Sequence, residues 1–188
     1  MAVRDPESKR RQLIEASLVE FAASGIAGAR IDRIAKRAGC SAGLVYTYFG
    51  SKEELFHAVF TSIIEQAVDE APLTPHDLLT YAGRLFDNFE DHPEVARFVT
   101  WYRLEGGDVS ANASAADGSA HKVDVIAAAQ RAGTVPSTFD PAELLSLILH
   151  LASFWTAPAP ELFGLAERRS LDQRRALVVQ SVAALLRQ

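Results

Sequence analysis

The chain has 188 residues, 48% of them apolar and 23% charged, which is enough for one globular domain with a sizeable core or for a small domain fused to a larger one. No apolar run approaches the roughly 18 residues a bilayer-spanning helix needs, and no signal-like apolar stretch follows Arg4, Lys9, Arg10 and Arg11, so the expected location is the cytoplasm, away from membranes. The net charge of −5 is unevenly spread: residues 1–52 hold nine Lys/Arg and five Asp/Glu (+4), whereas residues 53–188 hold ten and nineteen (−9), so a basic head that touches a polyanion sits on an acidic body, although solvated charged faces produce such splits too.

Residues 1–5 read as an arm. Pro6 and Glu7 suit the first turn of a helix that continues to about Ser24, with Leu13, Ile14, Ser17, Leu18 and Phe21 on its inner face and Gly25 and Gly28 at its end. Lys9, Arg10 and Arg11 cluster near its start and fit either phosphate contacts or a solvated face. Ile31, Ile34, Ala35 and Ala38 then recur at helical spacing, and Gly39 stands where a helix end needs a left-handed residue. Ser41 caps a short helix with Leu44, Val45 and Phe49 inward. Gly50 stops that helix, and Ser51 with Glu54 forms a capping-box pattern. Helix, glycine turn and short helix make a helix-turn-helix, whose second helix enters the major groove of DNA.

A long helix follows to about residue 69, bearing Leu55, Val59 and Ile63. Thr74 and Pro75 open a helix to about residue 90, and Pro93 another through Glu105. Residues 106–119 read as a loop, with alanines that permit some helix. A helix over residues 119–132 stops at Gly133. Asp140 and Pro141 start the next, expected to carry Leu144, Leu145, Leu147, Ile148, Leu151, Phe154 and Trp155. The last runs over residues 171–186. No segment shows sustained period-two alternation, so the expected fold is all-α with about nine helices: a three-helix head over residues 1–52 and a larger helical body over residues 53–188.

Ile34-Ala35-Lys36-Arg37-Ala38-Gly39, Ser41, Tyr46, Tyr48-Phe49 and Ser51-Lys52-Glu53-Glu54-Leu55, with Leu13, Ala16, Phe21 and Gly25 before them, resemble the tetracycline-repressor (TetR) family of bacterial transcription regulators. The close resemblance covers the first third of the chain. The family usually has a capping threonine where this chain has Arg30, which cannot accept a hydrogen bond from a backbone N–H. Arg30 is a candidate for a phosphate instead. Cys40 replaces an aliphatic residue and reads as a small hydrophobe in the turn; with no second cysteine there is no internal disulfide, and nothing in the sequence identifies a redox role.

Base edges carry sequence, and phosphates carry position. Ser41, Ala42, Gly43 and Thr47 are the candidates for the groove, where small apolar groups can meet thymine methyls. The resemblance implies that Tyr46, Tyr48 and Lys52 contact the backbone; Lys52 also lies at a helix N-terminus, which favours phosphate. Packing against the first helix is the competing reading for both tyrosines. Arg33 and Arg37 are further candidates on the outer face of the preceding helix, with a solvated role as their alternative.

One short helix reads few base pairs, so two copies on a pseudo-palindrome are expected. The resemblance implies a homodimer through the last two helices, here Leu144, Leu147, Ile148, Leu151, Leu177, Val178, Ser181, Val182 and Leu185; filling the monomer core is the alternative. It also implies a small-molecule effector in the body, with double-stranded DNA as the other partner. Phe86, Phe89, Phe98, Trp101, Tyr102, Phe154 and Trp155 are the aromatic candidates for an apolar or aromatic ligand, and plain core is their competing role.

No glycine-rich phosphate loop, Gly-x-Ser-x-Gly elbow or His-Glu-x-x-His motif occurs, and the five histidines lack metal-ligand spacing, so neither an enzyme nor a metal or cofactor site is expected. The rival is a helical interaction protein of the same shape without a sequence-specific DNA role. The retained Ser41, Tyr46, Tyr48 and Lys52 argue against it. Repression or activation depends on where the operator lies relative to the promoter, which is not in the protein; the expected form is a repressor released by a small ligand.

Overall fold

The computed structural model describes residues 5–70, 73–74, 77–105, 113–156, 160–163 and 168–187, except the side chains of 68–70, 113–117, 160 and 163. The described residues are all helical or irregular, with no strand. The helices are α1 (Pro6–Gly28), α2 (Ile31–Arg37), α3 (Ala42–Phe49), α4 (Lys52–Glu70), α5 (Leu78–Asp91), α6 (Pro93–Glu105), α7 (Ala113–Arg131), α8 (Pro141–Ala152), the single turn α9 (Pro160–Phe163) and α10 (Leu171–Leu185). Among the described residues no helix is long and apolar enough to cross a membrane.

The chain forms two compact units. The first comprises residues 1–66 and 94–116, the second residues 67–93 and 117–188. The division read from the sequence, at 52/53, falls inside α4, which continues without interruption from Lys52. Residues 94–116 also belong to the first unit, because Phe98 and Tyr102 of α6 are buried in its core with Leu13, Phe21, Ile34, Val45, Leu55, Phe56 and Val59. Aromatic edges and faces organise that core. Phe56 meets Phe21 edge-on at 5.0 Å between ring centres, and Phe60 stacks on Tyr102 at 3.8 Å. Such pairs contribute about 0.5–1.5 kcal/mol each beyond their buried area.

The second core contains Tyr81, Phe86, Ile126, Leu144, Ile148, Val178 and Val182. Here α5 packs on α8 and α10. Two ion pairs fix α10 along α5: Arg174 to Glu90 at 2.7 Å, and Arg175 Nε to both carboxylate oxygens of Asp87 at 2.8 and 3.0 Å. Gly83 lies under the Arg175 guanidinium, and a Cβ there would come within 2.5 Å of it.

Four local readings change. Helix α1 extends past Ser24 to Gly28, but it breaks at Gly25, whose φ of 65° and ψ of −177° are open to glycine alone. Helix α5 starts at Leu78 rather than Pro75. The Asp77 N–H bonds the Thr74 carbonyl at 3.2 Å, so Thr74 belongs to the preceding turn, and Asp77 takes the N-cap place without a side-chain cap; Pro75 itself lies outside the described residues. Helix α7 begins at Ala113, inside the expected loop. Phe154 and Trp155 are not on α8, which ends at Ala152; they form a 3-10 turn over Phe154–Thr156.

Candidate nucleic-acid interface

The turn between α2 and α3 is closed by backbone geometry. The Cys40 N–H reaches the Ala35 carbonyl at 2.9 Å and the Gly39 N–H the Lys36 carbonyl at 3.3 Å, with Gly39 at φ 60°. This is a Schellman ending, and it satisfies carbonyls that the helix end would leave bare. Ser41 then accepts the Leu44 N–H at 3.3 Å and starts α3. Val45 and Phe49 are buried one turn apart and anchor α3 to the core. The opposite face carries Gly43, Tyr46 and Thr47, all exposed, with Ser41 exposed at its start; Tyr46 is 48% accessible. The Thr47 hydroxyl donates to the Gly43 carbonyl at 2.9 Å. Its lone pairs and methyl are what it can offer a base edge.

The other expected DNA residues fall in different settings. Ala42 is half-buried, and Tyr48 packs against the core with its ring 6.3 Å from that of Phe49. Arg30 is exposed at the N-cap of α2 and makes no side-chain cap there. Arg33 is exposed and only loosely paired, at 3.5 Å, with Glu20. Lys52 is half-buried and its ammonium donates to the Ala29 carbonyl at 3.4 Å, which ties the start of α4 to the α1–α2 connection. Of the basic cluster on α1, Lys9 bonds the Ala38 carbonyl and Arg10 lies 5.4 Å from the centre of the Phe49 ring, so both help to hold α1 on the helix-turn-helix; Arg11 is exposed. Arg37 and Lys36 are exposed on α2.

The capping box after α3 is half made. Ser51 accepts the Glu54 N–H at 3.0 Å, but the Ser51 N–H bonds the Phe49 carbonyl at 2.8 Å across Gly50 instead of bonding Glu54. Gly50, at φ 72° and ψ −62°, is the centre of a γ-turn, a strained three-residue turn.

Two residues that the sequence reading passed over hold the head together. Glu20 is 7% exposed and accepts the Arg30 N–H at 3.2 Å. An acid three residues from Ser17 and next to Phe21, on an otherwise apolar face, was its only signal. Glu105 accepts the Ile26 N–H at 2.6 Å, where Gly25 breaks α1. That bond spans 79 residues, and no local pattern announces it.

The seven aromatic residues expected around one ligand are divided between the units. Phe98 and Tyr102 are buried in the first, where the Tyr102 hydroxyl lies 2.9 Å from His57 Nδ1, and half-buried Trp101 lies beside Gly25. Phe86, Phe89 and Trp155 pack in the second, where Phe154 is 48% exposed. Of the residues expected at a dimer interface, Leu144, Ile148, Val178 and Val182 are buried within the second unit. Leu147 is 37% exposed, and Leu151, Leu177, Ser181 and Leu185 are half-buried. Cys40 is half-buried against the first core as a free thiol. Among the described residues no group of three His, Cys, Asp or Glu could hold a metal ion.

Two family models match the chain. Bacterial regulatory proteins of the tetR family match residues 13–59, and the tetracyclin repressor-like C-terminal domain matches residues 77–183. The chain is 35% identical over 164 residues to the HTH-type transcriptional repressor SCO4008 of Streptomyces coelicolor, an alignment spanning 86% of this chain and 85% of the relative. The crystal structure of SCO4942 from Streptomyces coelicolor, a proposed transcriptional regulator, superposes with a TM-score of 0.80 at 38% identity, over 94% of this chain and 97% of that one. The regulator FadR from Bacillus subtilis, in complex with stearoyl-CoA, shares the fold at a TM-score of 0.69 and 17% identity, over 94% and 97% of the two chains.

Proposed function

The chain belongs to the TetR family of transcriptional regulators, which are not enzymes, and from that premise we propose that it is a cytoplasmic repressor that binds a pseudo-palindromic operator as a homodimer and leaves it when a small molecule binds. The observation that carries the DNA reading is the division of α3 into two faces. Val45 and Phe49 fix the helix, and Ser41, Gly43, Tyr46 and Thr47 stand exposed on it. A helix held this way can lie in the major groove without moving its anchors.

Specificity in this reading comes from small groups. Gly43 allows close approach of backbone to bases, and Thr47 supplies a methyl and an acceptor. Affinity comes from charge: Arg30, Arg33 and Arg37 are exposed within one short segment, and each phosphate they neutralise releases counterions. Tyr46 is the better placed of the two tyrosines for a phosphate, since Tyr48 already packs against the core. The expected interface residues of α8 and α10 that are not fully buried, Leu147, Leu151, Leu177, Ser181 and Leu185, are the surface on which a second copy would pair. The effector reading rests on the family and on the apolar second core, where Phe86, Phe89 and Trp155 pack.

The test is a titration of the full chain against operator DNA at several salt concentrations, with wild type beside Tyr46→Phe and Thr47→Ala. The reading predicts loss of affinity for both variants, and loss of sequence preference for Thr47→Ala alone. Equal affinity of all three proteins for operator and scrambled DNA contradicts it.

A further inference from the structure

The second compact unit holds two polar groups close together, the Tyr81 hydroxyl and the Lys122 ammonium. Tyr81 of α5 is 1% exposed, in a core otherwise built of Leu, Ile, Val, Ala and Phe, and among the described residues its hydroxyl has no hydrogen-bond partner. Lys122 of α7 stands one turn before buried Ile126, with its ammonium 5.5 Å from the centre of the Tyr81 ring. It is half-buried, and among the described residues no carboxylate pairs with it. A buried hydroxyl without a partner and a half-desolvated ammonium without a counterion both disfavour the folded chain. The ring face offsets part of the ammonium's cost. It does nothing for the hydroxyl.

One chemical group meets both needs. A carboxylate accepts the tyrosine O–H through one oxygen and pairs with the ammonium through the other. Burial pushes the tyrosine's pKa up to about 12 and lowers that of the lysine, so at neutral pH the hydroxyl keeps the proton it would donate. The surrounding core is apolar, so the rest of such a ligand is apolar as well. We propose that Tyr81 and Lys122 form the polar end of a binding site for an amphipathic carboxylic acid. The proposal rests on the reading of the chain as a ligand-released regulator, and it names the chemical class of that ligand.

The test is calorimetric titration of the full chain, without DNA, using straight-chain carboxylates from butyrate to dodecanoate and 4-phenylbutyrate, each beside the matching alcohol. Wild type, Tyr81→Phe, Lys122→Met and Lys122→Arg are compared. At least one acid should bind wild type, with its alcohol about tenfold weaker or more. Lys122→Met should lose about tenfold in affinity for that acid, Tyr81→Phe a smaller factor, and Lys122→Arg little. Without ligand, Tyr81→Phe should melt no lower than wild type, since no hydrogen bond is lost. Absence of binding by every acid overturns the proposal, as does equal binding by all four proteins. A fall of several degrees in the melting temperature of Tyr81→Phe also overturns it, because the hydroxyl would then have a native partner. Operator release is measured separately. Acids that bind but do not release DNA leave this site standing and remove the effector reading; release by another ligand class with no acid bound does the reverse.

Discussion

Single residues carry opposite consequences in the same short stretch. Gly50 and Gly43 are both exposed, yet only Gly50 needs to be glycine for the fold. Its φ of 72° is closed to other side chains, and a Cβ would run into the Glu54 carboxylate. Gly50→Ala should therefore cost about 1–3 kcal/mol in denaturant unfolding. Gly43 is helical, and a Cβ there meets nothing nearer than Ser41 Oγ at 4.0 Å. Gly43→Ala should stabilise the chain by about 0.5–1 kcal/mol and, in the DNA reading, still weaken operator binding, because the added methyl stands on the exposed face proposed to approach DNA. A variant that is both stabler and tighter-binding would remove Gly43 from the interface. Tyr81 gives a pH signature. Its pKa is 10.0 when exposed and about 12 when buried. Between those values the native state keeps a proton that the unfolded chain releases, so this group's contribution to stability is present below pH 10 and lost as pH rises through 12. Urea unfolding across that range should fall less steeply for Tyr81→Phe than for wild type.

Elements show where sequence suffices and where it does not. The α2–α3 turn was legible because its determinants are local: Gly39 supplies the left-handed residue, Ser41 the cap, and both act within a few positions. The absence of a side-chain cap at Arg30 was legible for the same reason, and the structure confirms it. Arg30→Thr should accordingly raise stability by about 1 kcal/mol. In the DNA reading it should also reduce operator affinity and flatten the logarithmic salt dependence by about 0.9. An unchanged salt slope would leave Arg30 without a phosphate. Helix α6 was legible as a helix, but not as a partner of the head. Phe98, Trp101 and Tyr102 lie at helical spacing, which shows that a face is buried and not what it is buried against. The Glu105 carboxylate on the Ile26 N–H and the Tyr102 hydroxyl beside His57 are bonds across 79 and 45 residues, and a periodicity argument has no access to them. The start of α5 was misread because Thr74-Pro75 is a good helix opening in isolation, whereas the chain uses Thr74 in a turn to Asp77.

At the scale of the whole molecule, the positive balance of residues 1–52 and the negative balance of the rest predict binding that weakens steeply with salt and does not extend to the acidic body. The short exposed face of α3 predicts two copies per site, because Ser41, Gly43, Tyr46 and Thr47 cannot specify an operator alone. The measurement that tests this most directly is selection of DNA from a random pool by the full chain, followed by titration of the selected duplex at several salt concentrations with stoichiometry read by analytical ultracentrifugation. The account predicts an inverted repeat, bound by two subunits, with affinity falling log-linearly in salt. A pool with no enriched sequence, or a selected single half-site bound by one subunit, would contradict it.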